Sequence, residues 1–185
     1  MIIYNYARGE KWMEDNMSTN IKDFHIRFAV KKDSELIIKY IKDLARYENE
    51  LDAVTLTRED LEKNMFDDNG AEALIGEFKD KPIGFAFFYN SFSTFEGKVG
   101  IHLVDLYIEP NMRGKGYGKA MLSCLADITK KRGGTRLEWW VHDWNESAVS
   151  HYKNWGATMV KNIRVYRMND DTINEFSSFY KKNYN

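Results

Sequence analysis

The sequence predicts an α+β domain on a mixed, mostly antiparallel sheet, and three observations carry that expectation. Strand-like runs follow one another between residues 73 and 109; segments with apolar residues three and four apart stand on either side of them; and beyond Pro110 helices and strands alternate. The 185 residues suffice for one domain with its own core, and two prolines and no Ser/Gly-rich linker interrupt them. The expected organisation is an N-terminal extension over 1–23 with no assigned role, one domain over 24–170, and a C-terminal tail over 171–185.

Each element has a local reason. Residues 24–29 alternate as a short strand. Asp33 can then cap a helix whose Leu36, Ile37, Tyr40, Ile41, Leu44 and Ala45 form one apolar stripe. Thr57-x-x-Asp60 resembles a capping box and announces a second helix. Runs 73–78 and 82–89, joined by Lys79-Asp80-Lys81-Pro82, read as a hairpin. A third run, 98–109, leads through Pro110 into closely spaced glycines and a helix over about 118–132, stopped by Gly133-Gly134. A strand at 136–141, a short helix at 147–154 ended by Gly156, and a last strand near 162–168 complete the expected order.

Composition excludes several classes. Hydrophobic residues make up 43% and charged residues 30%, and 27 Lys+Arg against 28 Asp+Glu leave a net charge of -1, which fits neither a disordered chain nor a basic nucleic-acid binder. No apolar run approaches membrane-spanning length, and the first twenty residues carry charges where an export signal needs an apolar stretch. The single cysteine, Cys124, cannot close an internal disulfide. The expectation is a cytoplasmic protein with neither nucleic-acid nor membrane partners. The four histidines show no ligand spacing with Cys124 or each other, so no metal is expected. Cys124, Trp139, Trp140, Trp144 and Trp155 read as filling for the core and its edges.

The most informative stretch is 103–119, where a buried strand runs into Arg113, Gly114, Lys115, Gly116, Tyr117, Gly118 and Lys119 and then a helix. That arrangement points backbone N–H groups and a helix N-terminus at one spot, as phosphate binding requires. A Cβ at Gly116 or Gly118 would hold an anion away from the amides, and Arg113, Lys115 and Lys119 add positive charge. Spacing narrows the phosphate. A Walker loop would need glycine where Arg113 stands and a hydroxyl where Ala120 stands, and a dinucleotide fingerprint would need glycine at Lys119. What remains is Arg113-x-x-Gly116-x-Gly118.

This pattern resembles the pyrophosphate loop of the Gcn5-related N-acetyltransferases. A second segment is similar to the same family, in register at Asn145, Ala148, Tyr152 and Gly156. Upstream, Ala45-Arg46-Tyr47-Glu48, Leu56-Thr57-x-x-Asp60-Leu61 and Leu103-x-Asp105-Leu106-Tyr107-Ile108 look like the diamine (spermidine/spermine) acetyltransferase branch. The resemblance covers about 24–168. It implies the acyl-CoA N-acyltransferase fold, with helices on both faces of the sheet and a central strand pair splayed to admit acetyl-CoA. By this resemblance the amides of Lys115 to Lys119 hold the pyrophosphate, Leu106 and Ile108 offer main-chain groups to the pantetheine, Asn145 bonds it or simply caps a helix, and Tyr152 is the acid that protonates the departing thiolate. It also implies a homodimer.

Acetyl transfer to an amine further asks for a base, because an amine with a pKa near 10.4 is about one part in two thousand free base at pH 7, a deficit of about 4–5 kcal/mol. The diamine branch usually carries Glu directly before the position of Asp105, and this chain has Val104 there. Either Asp105 takes the proton through water, or Glu48 does, or His102 substitutes, or the amine arrives neutral. Asp105 is equally readable as a structural carboxylate. Residues 46–68 hold eight acids against three bases, a local charge of -5 that would attract a cation or serve as a solvated face. Tyr47, Glu48, Asp105 and Phe95, with Phe92 nearby, are the candidate contacts to a small amine, the two phenylalanines being equally at home in a core. Expected, then, is acetyl transfer to a polyamine or a lysine-like amino acid. The alternatives are an unrelated acceptor, such as an aminoglycoside or a protein amine, and a catalytically silent CoA-binding sensor or scaffold.

Overall fold

The structure, a computed structural model, describes the backbone of residues 3–5, 10–12 and 17–184 and the side chains of 17–180. Of the extension expected over 1–23, residues 1–2, 6–9 and 13–16 lie outside the described residues. The chain forms two compact units, Met1–Trp140 and Val141–Asn185.

In the first unit, strands β1 (Ile3–Asn5) and β2 (Glu10–Trp12) pair with each other. A six-stranded sheet then runs in chain order through β3 (Met17–Ser18), β4 (Phe24–Phe28), β5 (Glu72–Phe78), β6 (Lys81–Ser93), β7 (Lys98–Ile108) and β8 (Arg136–Trp139). All neighbours are antiparallel except β7 and β8. A parallel pair needs a crossover, and helix α3 (Tyr117–Lys131) provides it.

Alternation along the strands gives the sheet two apolar faces. On one, Ile37 and Tyr40 of helix α1 (Ser34–Glu48) are fully buried in a cluster with Leu61, Met65, Ala73, Ile75, Phe85 and Tyr107. The Tyr40 ring stands 5.6 Å from Phe85 and 5.5 Å from Tyr107. On the other, Met121 and Leu125 of α3 are fully buried, and Tyr117 packs 4.6 Å from Phe24 and 5.8 Å from Phe78. Helices thus cover both faces, as the α+β expectation has it.

Local chemistry sets the boundaries. Asn49 ends α1 in the left-handed region at φ 60°, with its N–H on the carbonyls of Ala45 and Arg46. Thr57 caps α2 (Arg58–Leu61) by accepting from Asp60 N–H while Asp60 reaches back, the expected capping box. The β5–β6 connection is tighter than expected. Lys79 and Asp80, both at positive φ, make a two-residue turn, and Lys81-Pro82 already belongs to the strand.

Asp33 departs from its expected use. It precedes α1 but does not cap it; its carboxylate accepts from Val30 N–H and bidentately from Arg27, whose Nε also reaches Glu77. His25 lies 2.8 Å from the same Glu77. This largely buried network ties β4, β5 and the entry to α1 together.

The second unit holds α4 (Glu146–Asn154), followed by Gly156 at φ 90°, and α5 (Asp170–Tyr184). One sequence reading fails here. The strand expected near 162–168 does not form: the segment is irregular, with no strand partner among the described residues. The segment 171–184, read as a tail, is helix. Asn169 accepts from Thr172 N–H, and Asp170 and Asp171 place negative charge in the first turn. Among the described residues, no helix is long and apolar enough to cross a membrane.

Burial opposes ionisation of Asp33, yet the Arg27 guanidinium and the Val30 N–H hold its carboxyl below the usual carboxylate range. A carboxyl lowered on folding stabilises above its unfolded pKa, near 3.9, and loses that contribution as pH falls through the folded value. Asp33→Asn should therefore lower the thermal midpoint at pH 7, by about 2 kcal/mol of stability. The gap to wild type should close as pH drops below about 4 in calorimetric or circular-dichroism melts.

Candidate active site

The site begins with an irregularity in β7. Phe87 pairs with Asp105 and Phe88 with Leu103, so Val104 is an extra residue with no partner on β6, a β-bulge whose side chain is 49% exposed. On its other side β7 pairs with β8 only from Gly100 to Leu103. Beyond Val104 the two strands part. Glu109 N–H bonds to Ile83 O, so in the alternating antiparallel ladder the main-chain groups of Tyr107 and Asp105 also face β6, while those of Leu106 and Ile108 face the gap. Leu106 and Ile108, to which the resemblance assigns the pantetheine, are the residues whose main-chain groups face the gap.

Downstream of the gap, Pro110–Met112 forms one 3-10 turn, Gly114 and Gly116 take positive φ of 75° and 87°, and α3 starts at Tyr117. Main-chain bonding resumes with Ala120 N–H on Gly116 O; among the described residues no acceptor takes the amides of residues 115–119. The glycines have different reasons. Conformation demands Gly114 and Gly116. At Gly118 a Cβ would meet nothing nearer than Ile108 Cγ1 at 3.9 Å, so neither strain nor packing requires glycine there. A row of free amides at a helix N-terminus, beside a glycine the protein itself does not need, fits a diphosphate. Lys119 is exposed beside it, while Lys115 Nζ turns back to Asn111 O at 3.1 Å.

Arg113 has a different partner from the one expected. Its Nε donates to Ile108 O at 2.9 Å, and its guanidinium lies over the rings of Tyr47, at 4.9 Å, and Tyr107, at 5.5 Å. Stacking on those rings and bonding to the strand end, it braces the loop against the last turn of α1.

On the α1 face, Asp105 is a carboxyl with altered chemistry. Burial, with the charge of Glu48 behind it, pushes its carboxyl up to about 6. Tyr47 is exposed beside Glu48 at the C-terminus of α1. His102 is only 8% exposed, stacked on Tyr89 at 5.0 Å with the edge of Trp140 at 4.8 Å; burial lowers its pKa against the pull of Glu138. Among the base candidates, Asp105 therefore joins a raised pKa to a place at the mouth of the gap, whereas His102 lies under two rings. Within the acidic stretch 46–68, Glu62 pairs with Arg58, which also reaches Glu35, and Asp67 pairs with Lys31.

In the second unit, Asn145 caps α4 by accepting Ala148 N–H at 3.2 Å, a use that occupies its oxygen only. Tyr152 lies on the same helix with its ring edge 5.9 Å from Trp155, and burial raises its phenol pKa, keeping the proton in place.

Phe95 is not brought to this site. Strand β6 continues to Ser93, so the turn carrying Phe95 projects from the far end of β7, seven residues and about 23 Å from Asp105, and both Phe95 and Phe92 are exposed rather than packed in a core. Nor are Trp140 and Trp144 core filling, at 61% and 51% exposed. Cys124 is half-buried, its Sγ 3.3 Å from Met17 Sδ. The β7–β8 pairing also sets Arg136 and Glu138, which sequence reasoning did not single out, beside His102.

Comparison with known proteins agrees with this geometry. The chain is 31% identical over 160 residues to a thialysine N-epsilon-acetyltransferase of Caenorhabditis elegans, covering 85% of this chain and 99% of the relative. It is 35% identical over 147 residues to the human spermidine/spermine N(1)-acetyltransferase-like protein 1, covering 75% of this chain and 21% of that longer protein. Among solved structures, an integron cassette protein from the mobile metagenome of V. cholerae shares the fold with a TM-score of 0.71 at 23% identity, covering 85% of this chain and 99% of its own. The model of the acetyltransferase (GNAT) family matches residues 38–157, a span that holds the bulge, the free amides and Tyr152, and the chain belongs to that family of acetyl-CoA-dependent acyltransferases.

Proposed function

We propose that the protein transfers acetyl from acetyl-CoA directly to the primary amine of a small cationic acceptor, a lysine-like amino acid or a polyamine. The observation that carries this reading is the juxtaposition on β7 of a carboxyl raised to about 6 with a strand edge that opens toward five free amides. The acceptors in the names of the two relatives, thialysine and spermidine/spermine, belong to the same chemical class.

Acetyl-CoA supplies the activated thioester; this chain supplies binding and proton management. The amides of 115–119 hold the diphosphate, Leu106 and Ile108 N–H and Leu106 C=O hold the pantetheine as an added strand, and Asn145 adds a side-chain bond. Asp105 takes the proton from the acceptor ammonium, directly or through one water. Its raised pKa makes it a better base than an ordinary carboxylate while leaving it mostly ionised at pH 7. The freed amine attacks the thioester carbonyl and forms the C–N bond; as the C–S bond breaks, Tyr152 gives its phenolic proton to the thiolate sulfur, and the second proton of the acceptor nitrogen returns to the phenolate through solvent. Tyr47 and Glu48 draw the cationic acceptor toward Asp105. The reading includes a homodimer in the cytoplasm. Exposed apolar side chains at Met159, Val160, Ile163, Val165 and Tyr166 support an interface between copies, and the lone Cys124 suits a reducing compartment.

The first test follows free thiol release from acetyl-CoA with thialysine, lysine and spermidine. Release above hydrolysis is expected, and none with any amine removes the assignment. Tyr152→Phe should lose about a hundredfold or more in kcat with acetyl-CoA affinity kept, whereas a sensor would bind as before with no turnover to lose. Gly118→Ala should leave the melting temperature equal or higher, since alanine favours a helix by about 0.5–1 kcal/mol, yet weaken CoA binding about tenfold or more in titration calorimetry. Asp105 must be ionised to act, so kcat/KM should rise with pH through about 6, and Asp105→Asn should abolish that limb. A carboxyl raised on folding costs stability above its folded pKa, so the same variant should melt higher than wild type at pH 8, the difference vanishing below about pH 4.

A further inference from the structure

The bulge has a consequence for side-chain direction. Without an extra residue, positions 102 and 105 of one strand point to opposite faces. Val104 resets the alternation. Tyr107, beside Asp105 in alternation, packs on Tyr40 beneath α1, and His102 stacks on Tyr89, which shares its face of β6 with Phe85 of the same α1-side cluster. Asp105 and His102 therefore both face the α1 side. Opposite His102 on β8 stands Glu138, and two residues before it, on the same face, Arg136.

Arg136 and Glu138 form a loose pair: Nε to Oε2 is 3.4 Å and Nη1 to Oε1 is 3.5 Å, with the side chains 40% and 37% exposed. A surface pair of such geometry contributes little to stability and opens readily for a ligand that satisfies both members. Burial keeps His102 deprotonated near neutral pH, so it does not compete for the Glu138 charge. Trp140, more than half exposed, offers a ring beside the pair.

We infer that Arg136 and Glu138 receive the zwitterionic head of an α-amino-acid acceptor, its carboxylate on the guanidinium and its α-ammonium on the carboxylate, while the side-chain amine extends to Asp105. This rests on the acetyl-transfer reading and makes lysine-like amino acids, rather than polyamines, the fitting substrates. Three residues along β7 and one strand across separate the backbones of Asp105 and Glu138 by about 11 Å. The side chains of both shorten that gap toward the about 6 Å between the Cα and Nζ of an extended lysine. A polyamine would satisfy Glu138 but set a second ammonium against Arg136, whereas a planar fork is what an α-carboxylate matches.

The test compares L-lysine, L-lysinamide, cadaverine and spermidine as acceptors for wild type, Arg136→Gln and Glu138→Gln, all as the full chain. Wild type should use lysine with kcat/KM about tenfold or more above cadaverine and lysinamide. Arg136→Gln should raise KM for lysine about tenfold with kcat nearly kept and leave KM for cadaverine equal or lower, and Glu138→Gln should likewise weaken lysine. Cadaverine matching lysine in wild type, or Arg136→Gln shifting both KM values alike, overturns the assignment. If cadaverine and spermidine release thiol and lysine does not, acetyl transfer stands and this inference falls. If no amine releases thiol, calorimetric titration with lysine and with cadaverine still decides: preferential lysine binding, lost in Arg136→Gln, upholds the subsite, and equal or absent heats sink it.

Discussion

One unpaired residue in a strand organises the first unit. Val104, inserted into β7 between Leu103 and Asp105, ends the pairing with β8 while pairing with β6 continues. A regular strand at that point would keep Leu106 and Ile108 bonded to a neighbour and leave no main-chain edge for an extended ligand. It would also turn Asp105 away from the face that carries His102 and Glu138. A slot in the plane of the sheet and a carboxylate on the acceptor side thus share a cause.

The electrostatics divide along the same line. Where the fold must hold, charges are matched: Arg27 bridges Asp33 and Glu77 across β4 and β5. At Asp105 they are not: a buried carboxyl faces another acid, Glu48, and its proton is held up to about pH 6. Frustration of this kind destabilises a fold and persists where function uses it. Arg113 lies between the two regimes. Its charge goes to aromatic faces and one carbonyl, leaving the neighbouring amides of 115–119 as the loop's positive pole.

Legibility in the sequence followed how local each signal is. The capping box at Thr57, the left-handed glycines and the strand leading into α3 depend on residues within a few positions of each other, and all were readable. The length of β6 was not, because Asn90, Ser91 and Ser93 are poor strand formers held there by the partner strand; that length sets Phe95, assigned by the resemblance, beyond the far end of the strand pair. The strand expected near 162–168 shows the converse: alternation without a partner makes no strand. Asp33 had the right residue type for a cap, but Arg27, six residues away, offered its carboxylate a stronger bond. A bulge has no composition of its own. Val104 read as a lost base, when its meaning lies in having no residue opposite.

The geometry also explains why the reaction can be assembled from two directions. The free amides belong to the N-terminus of α3, which packs on one face of the sheet, while Asp105, Glu48 and Tyr47 belong to the face under α1. Six paired strands would wall these ligands off from each other. Past Leu103, β7 has a partner on one side alone, and a line in the plane of the sheet there has access to both faces. In the proposed reading, an activated acyl group enters along that edge and an amine arrives from the α1 side, each held by groups that the other does not touch. Alignment of two reactants by separate, pre-formed supports is the condition under which positioning alone lowers a bimolecular barrier by about 7–11 kcal/mol. For a transfer that forms no covalent enzyme intermediate, positioning and two proton movements are what the protein has to provide.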